Sequence, residues 1–163
     1  MRSTARDGLI RILQNAYSGE VAAAYAYRGH WKSLNESPEK IRIREIEVEE
    51  WDHRRRVGEW LAKLTAKPNP TREKIFWAIG RSIGAACFLS GWFMPMYFAG
   101  RLEGGNVVEY EEAAAMAREL DMPECVNDLL DMARVEAEHE LFFREMVAGH
   151  RLLPVMRRVF RWS

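Results

Sequence analysis

Residues 43–64, IREIEVEEWDHRRRVGEWLAKL, decide how this chain folds. Ile43, Ile46, Val57, Trp60 and Leu64 recur at helical spacing, and the row passes through Glu50 and His53 on the way. Glu45, Glu49, Asp52 and Arg56 fall on the other side of the same helix. A face that packs inward should be apolar, because an unpaired buried charge is costly. Here a carboxylate and an imidazole interrupt it, and the Glu-x-x-His spacing brings both to one spot on the helix surface.

The same pattern returns in residues 129–146, LLDMARVEAEHELFFREM, where Glu136 and His139 sit in the stripe of Leu129, Met132, Phe143 and Met146. Nearer the N-terminus a third stripe, Leu9, Leu13, Ala16, Ala24, Tyr27 and Trp31, carries Glu20. With 19 glutamates in 163 residues, one Glu-x-x-His is unremarkable on its own. What singles these out is their place on apolar stripes of separate helices, joined by a lone Glu on a third. His30 and His150 have no Glu three residues before them and read as surface or helix-end histidines.

Working outward, prolines at 38, 68, 70, 95, 123 and 154 divide the chain, and nothing between them alternates with period two for long. Helix A is expected over about Asp7–Leu34. Helix B opens at Ser37-Pro38, as N-cap and first-turn proline, and runs to about Ala66. KPNPT is a break with Thr71 as the cap. Ile75 to Gly100 is strongly apolar with Arg81 its only charge, helix C continues through Glu103 towards Leu120, and helix D runs from about Glu124 to Ala148 after a cap at Asp121-Met122-Pro123. A basic tail, RLLPVMRRVFRWS, closes the chain. The expectation is all-α: a ferritin-like four-helix bundle, residues 1–163 as a single domain, with an additional apolar helix between bundle helices 2 and 3 and a short C-terminal helix.

Composition removes several classes of function. Twenty-four basic against 24 acidic side chains argues against a protein that holds nucleic acid by charge. Cys87 and Cys125 are too few for a disulfide scaffold or a cysteine-rich zinc site. The start, MRSTARDGLIRIL, lacks the continuous apolar run of a secretory signal, so the mature chain is expected to begin here.

Carboxylate oxygen with imidazole nitrogen is a donor set for iron or manganese. In bundles, two Glu-x-x-His helices and one Glu from each of two others form a di-iron or di-manganese site. Glu20, Glu50, His53, Glu136 and His139 supply five of the six ligands, and helix C must supply the last from Glu103, Glu109, Glu111 or Glu112. Glu103 shares a stripe with Trp92, Met96, Ala99, Val107 and Tyr110, whereas Glu111 and Glu112 lie in a polar group with Arg118 and Glu119, so Glu103 is chosen. The neighbouring Gly104-Gly105 pair marks either a local bulge or a close helix contact.

The stretch AYSGEVAAAYAYRG around Glu20, followed without a gap by EVEEWDH, resembles the demethoxyubiquinone hydroxylases, di-iron enzymes of ubiquinone biosynthesis. WAIGRSIGAACFLSG is similar to the family's apolar third helix, and carrying that register forward lands its next ligand on Glu103; VEAEH matches the last pair. The likeness covers roughly residues 10 to 145 and fills all six ligand positions. It departs at Tyr17 and Gln14, where the family carries His and Arg, in a shorter loop between helices C and D, and in the C-terminal segment.

The resemblance implies a monooxygenase that uses O2 and NADH-derived electrons at two iron ions to hydroxylate a polyprenyl benzoquinone. It implies a site tyrosine at Tyr110 that relays an electron or a proton. A polyprenyl substrate implies a membrane partner. Residues 82–100 have the length of a span, yet Gly84, Gly91 and Pro95 interrupt them, so residues 75–100 are expected to lie on the bilayer surface, with Arg157, Arg158, Arg161, Phe160 and Trp162 resting on anionic lipid. These readings place the protein in the cytoplasm, peripherally on the inner membrane, with a homo-oligomer open. The rival readings are a rubrerythrin-type peroxidase or iron-oxidising protein with the same ligands, and a metal-free helical partner-binding protein.

Overall fold

Proline and short polar caps set the helix boundaries in the computed structural model, which describes residues 2–162. Six helices follow one another: α1 (Arg2–Ser33), α2 (Pro38–Lys63), α3 (Pro70–Ser90), α4 (Phe93–Glu119), α5 (Pro123–Val147) and α6 (Leu153–Phe160). Prolines stand in the first turns of α2, α3, α5 and α6, where the missing N–H is unneeded. The Ser37 side chain caps α2 by accepting from Lys40 N at 3.2 Å.

Four expected boundaries shift. α1 begins at Arg2, ahead of Asp7. The α3 cap is Asn69 instead of Thr71: its Oδ1 accepts from the Thr71 and Arg72 amides, both at 3.1 Å. The α5 cap position is Met122, which makes no side-chain cap bond; Asp121 turns the chain just before it with φ 59. The α3–α4 break falls at Gly91, whose φ of 74 suits a residue without a side chain. Pro95 lies within the first turn of α4, where it breaks no hydrogen bond.

The helices form a bundle in which α1 pairs with α2, α4 pairs with α5, and α1 also meets α4. Each of these four helices runs between two apolar layers. One layer joins Leu9, Leu13, Val57, Leu61, Tyr110, Leu129 and Met132; the other joins Tyr27, Ile43, Ile46, Met96, Tyr97, Phe143 and Val147. Between the layers every one of the four helices carries its Glu or Glu-x-x-His inward, so the polar residues make a third layer bracketed by hydrocarbon.

α3 lies outside, along α1. The contact depends on glycine: a Cβ on Gly29 would collide with the Gly84 backbone, and one on Gly80 with the Ala22 carbonyl. With Gly80, Gly84 and Cys87 buried, the large side chains point away: Trp77 is 45% exposed, Phe88 60% and Leu89 91%. No described helix is long and apolar enough to cross a membrane.

Two expectations about single residues are corrected by packing. His30 is buried, with its ring stacked over Phe143 at 6.4 Å between centroids, because the i+3 step from Tyr27 keeps it on the inner face. Trp162 is buried as well, against Tyr97 at 5.2 Å, so it does not rest on lipid. His150 behaves as a helix-end histidine, stacked on Phe93 at 4.0 Å beyond the end of α5.

Candidate metal centre

All six residues expected as ligands converge in the polar layer. Glu20 comes from α1, Glu50 and His53 from α2, Glu103 from α4, and Glu136 and His139 from α5, and all are buried. They form two overlapping groups, Glu20–Glu50–His53–Glu136 and Glu50–Glu103–Glu136–His139. Within each group one ligand atom per residue lies within 4.8 Å of the others. Glu50 and Glu136 belong to both groups and would be shared if both held an ion, while Glu20 with His53 and Glu103 with His139 flank either side.

On α4 the residue of the apolar stripe is the one that reaches the layer. Glu103 is buried, whereas Glu109 is half-buried and Glu111 and Glu112 are exposed. α4 stays regular through Gly104-Gly105, with no bulge; a Cβ at Gly104 would come within 3.0 Å of the Glu140 carboxylate, a close contact with α5, while Gly105 faces open space.

His53 Nδ1 stands 3.0 Å from Glu136 Oε1. His139 Nδ1 faces the layer, 3.3 Å from Glu136, 3.4 Å from Glu50 and 4.0 Å from Glu103. Its other nitrogen, Nε2, meets Glu49 Oε2 at 2.6 Å, and Glu49 in turn accepts from Arg42 at 3.0 Å. Five inward atoms have no hydrogen-bond partner: Glu20 Oε2, both oxygens of Glu50, Glu136 Oε2 and His139 Nδ1. Buried polar atoms are nearly always paired. A converging set of unpaired oxygens and an imidazole nitrogen is what a cation would satisfy, so the residues fit a metal.

Electrostatics agree. Burial, then repulsion from Glu136, lifts the Glu20 carboxyl above its ordinary value; burial, then Glu136, Glu20 and Glu103, lifts Glu50 much further. Burial followed by Glu136 does the same to Glu103. Glu136 goes the other way: burial opposes its charge, but hydrogen bonds from His139 and His53 outweigh that. Burial also opposes charge on both histidines, yet contact with Glu136 raises them. Four carboxylates thus cannot ionise together in this layer without added positive charge.

Tyr110 lies at the layer and donates its hydroxyl to Glu20 Oε1. Three contributors escaped the sequence reading. Tyr27, noted only as a stripe residue, donates to Glu103 Oε1. The arrangement is reciprocal: each lone-Glu helix has a Tyr seven residues on, Glu20 to Tyr27 and Glu103 to Tyr110, and each Tyr holds the Glu of the other helix. That repeated interval was visible in the sequence. Asn106 donates to Glu103 Oε2 at 2.9 Å, one turn along α4. Glu49, placed on the outer side, reaches His139 from its half-buried position at the helix edge; a residue beside an Glu-x-x-His pair gives no signal of this by spacing alone.

Tyr17 carries the Arg54 guanidinium over its ring at 3.7 Å, and Gln14 donates to the Lys67 carbonyl at 2.7 Å. Both serve helix packing on the α2 side. No protein-family model matches this chain, and no curated protein or solved structure shows significant similarity to it.

Proposed function

We propose that the chain is a ferritin-like di-iron monooxygenase that hydroxylates a lipophilic benzoquinone of the demethoxyubiquinone type, at the surface of the inner membrane. The observation that carries this reading is the pair of four-residue groups sharing Glu50 and Glu136. Glu20 and His53 would complete one iron site, Glu103 and His139 the other. Bound there, two irons would supply the redox chemistry that consumes O2 and NADH-derived electrons, placing one oxygen atom on the ring and releasing the other as water.

The protein's own residues hold that chemistry in place. Glu50 and Glu136 offset the positive charge between the two positions. Glu49 fixes the His139 ring so that Nδ1 points inward. Tyr27 and Tyr110 hold one oxygen each of Glu103 and Glu20, leaving the second oxygen of Glu20 free to ligate. Tyr110 also meets the His53 ring edge-on, 6.0 Å between centroids, while its phenol proton lies on Glu20, the other partner of that position. The apolar layers above and below keep bulk water from the site.

The outward face of α3 suits the membrane partner. Trp77, Ile79, Ile83, Phe88 and Leu89 stay exposed around the helix away from its glycine-lined side, with Lys74 and Arg81 among them, and leave apolar surface that a bilayer interface would cover. A soluble peroxidase of the rubrerythrin kind would share the ligands but has no use for this face.

Iron analysis and aerobic turnover test the proposal together. Two irons per chain, with NADH-dependent conversion of a short-chain demethoxyquinone to a product one oxygen atom heavier, are expected. Two irons with hydrogen peroxide consumption and no quinone product would favour the peroxidase. A chain that takes up no iron after anaerobic loading is a metal-free helical protein.

A further inference from the structure

The C-terminal end of the chain fills a place shaped for a planar ring. Trp162 folds back beyond α6, and its indole lies where Gly100 of α4 has no side chain; a Cβ there would overlap the indole and stand 2.7 Å from Phe143 Cβ. Tyr97 meets the same indole edge-on, at 5.2 Å and 82°. This trough adjoins the ligand layer. Gly100 is one turn before Glu103, Phe143 is one turn after His139, and Phe143 stacks on Tyr27 at 5.7 Å and 7°. The Tyr27 hydroxyl is the one that donates to Glu103.

The indole leaves a polar group of the trough unsatisfied. Tyr97 is 0% exposed and its hydroxyl has no hydrogen-bond partner. An indole has a single N–H donor and no acceptor. That donor is spent on Glu140 Oε1 at 2.9 Å, so Trp162 can offer the Tyr97 hydroxyl nothing. A ring of similar size that carries oxygen acceptors can.

The ties around the indole come from a few side chains. Besides the Glu140 bond, Arg144 stands over its ring at 5.7 Å, Phe160 meets Phe98 edge-on at 5.0 Å, and Arg101 Nε donates to the Phe160 carbonyl at 2.7 Å in an exposed contact. Arg161 turns the indole inward from a left-handed conformation, φ 49, that a residue with a side chain seldom adopts. When the indole leaves, Glu140 keeps its Arg144 partner at 2.5 Å, so no charge is stranded.

We propose that the trough beside Gly100 binds the oxygen-bearing planar ring of the substrate, and that Trp162 is a displaceable placeholder within it. This rests on the quinone-hydroxylase reading and locates the substrate for it.

The test is calorimetric titration of the purified full chain with a decyl-substituted methoxybenzoquinone, beside a melting curve and iron analysis for each variant. Trp162→Ala should bind the quinone about tenfold more tightly than wild type, because the ring no longer competes with the indole. Adding Tyr97→Phe to Trp162→Ala should lose about fivefold of that, the share of one hydrogen bond. Decanol, which has the chain without the ring, should bind equally to all three. Should Trp162→Ala fail to fold, Arg101→Ala loosens the C-terminal tail from outside the trough and should shift quinone affinity in the same direction. Folded variants that bind the quinone no better than wild type overturn the proposal, as does a Tyr97→Phe change without effect. Two irons with no quinone binding would sink the trough and leave the di-iron reading standing. Tighter binding by a Trp162→Ala chain that takes no iron would do the reverse.

Discussion

Helix α5 buries Glu136 and His139 to 0% exposure, whereas α3 leaves Leu89 91% exposed and turns Gly80, Gly84 and Cys87 to its neighbours. One helix carries charge into hydrocarbon and the other carries hydrocarbon into solvent. Each arrangement is unfavourable by itself, since buried charge loses hydration and exposed apolar surface orders water. The difference sets two surfaces side by side: an inner one whose carboxylates and imidazoles could hold a cation, and an outer apolar one that the proposed function gives to a membrane. α1 stands between them, giving Glu20 to one and a glycine-lined seat to the other.

The strongest way to break the inner half of that comparison is to supply the cation. Ferrous iron added anaerobically at a thousandfold excess over its dissociation constant should stabilise each site by about 4 kcal/mol, a rise of roughly 8–16 °C in melting temperature. Calorimetry with and without chelator measures it. The pH dependence carries a sign. Glu20, Glu50 and Glu103 have raised folded values, so the metal-free chain holds protons that the unfolded chain releases above 4.5. Its stability therefore falls as pH rises from 4.5 through the raised values, and metal, which replaces those protons, should bind more tightly over the same rise. No shift in melting temperature with iron would end the inner half of the comparison. Glu103→Ala should lose iron, while Glu109→Ala, Glu111→Ala and Glu112→Ala keep it.

The outer half is tested by making α3 polar. Trp77→Ser, Phe88→Ser and Leu89→Ser together should weaken binding to anionic liposomes about a hundredfold or more, since each of these side chains is worth about 1.5–3 kcal/mol when fully buried. Iron content should stay unchanged because none of these residues is in the ligand layer, while loss of the Trp77 contact with Tyr25, edge-on at 6.3 Å, lowers the melting temperature only slightly. Phe93 is unsuitable for this purpose: it is 6% exposed, and a serine there would damage the core instead. If wild type never sediments with liposomes, α3 has another partner and the membrane reading falls.

A smaller effect sharpens the inner half at its edge. Glu49→Gln keeps the size of the side chain but removes the charge that holds His139 Nε2 at 2.6 Å. Iron affinity should fall by about ten- to a hundredfold at this position, as for other residues that orient a metal-bound histidine. Competition with a chelator of known affinity reads it directly, and an unchanged affinity would make Glu49 a packing residue.

The smallest expected effect sets His30 apart from the two site histidines. Burial holds its imidazole down at about 4, against 6.5 in the unfolded chain. The unfolded chain thus takes up a proton first on acidification, so this contribution is present above pH 6.5 and is lost as pH falls towards 4. At pH 5.5 the loss is roughly 1.4 kcal/mol, or about 3–6 °C in melting temperature. His53 and His139 have raised values and act with the opposite sign. The gap in melting temperature between wild type and His30→Gln, followed from pH 7 to pH 5.5, isolates the one contribution.

The sequence by itself determined the helices and which glutamates and histidines face inward. Period and phase suffice for that, since a residue on an apolar stripe of an amphipathic helix is carried to the core whatever its neighbours are. Glu20, Glu50, His53, Glu136 and His139 were legible in this way, and Glu103 followed from its seven-residue step to Tyr110. Proline spacing likewise marked the breaks, though Asn69 rather than Thr71 capped α3 because the cap lies before Pro70. Only the tertiary structure decided which carboxylates belong to both four-residue groups, because that depends on distances between helices that one helix's phase does not contain. It also decided that Tyr27 and Tyr110 cross over to each other's glutamates, that Glu49 reaches His139, and that His30 is buried. Trp162 is the clearest case: its tail reads as basic and amphipathic, and its burial follows from Gly100, sixty-two residues away, leaving room for an indole. Local sequence reports which way a side chain points from its own helix; what it meets there is set by residues far along the chain.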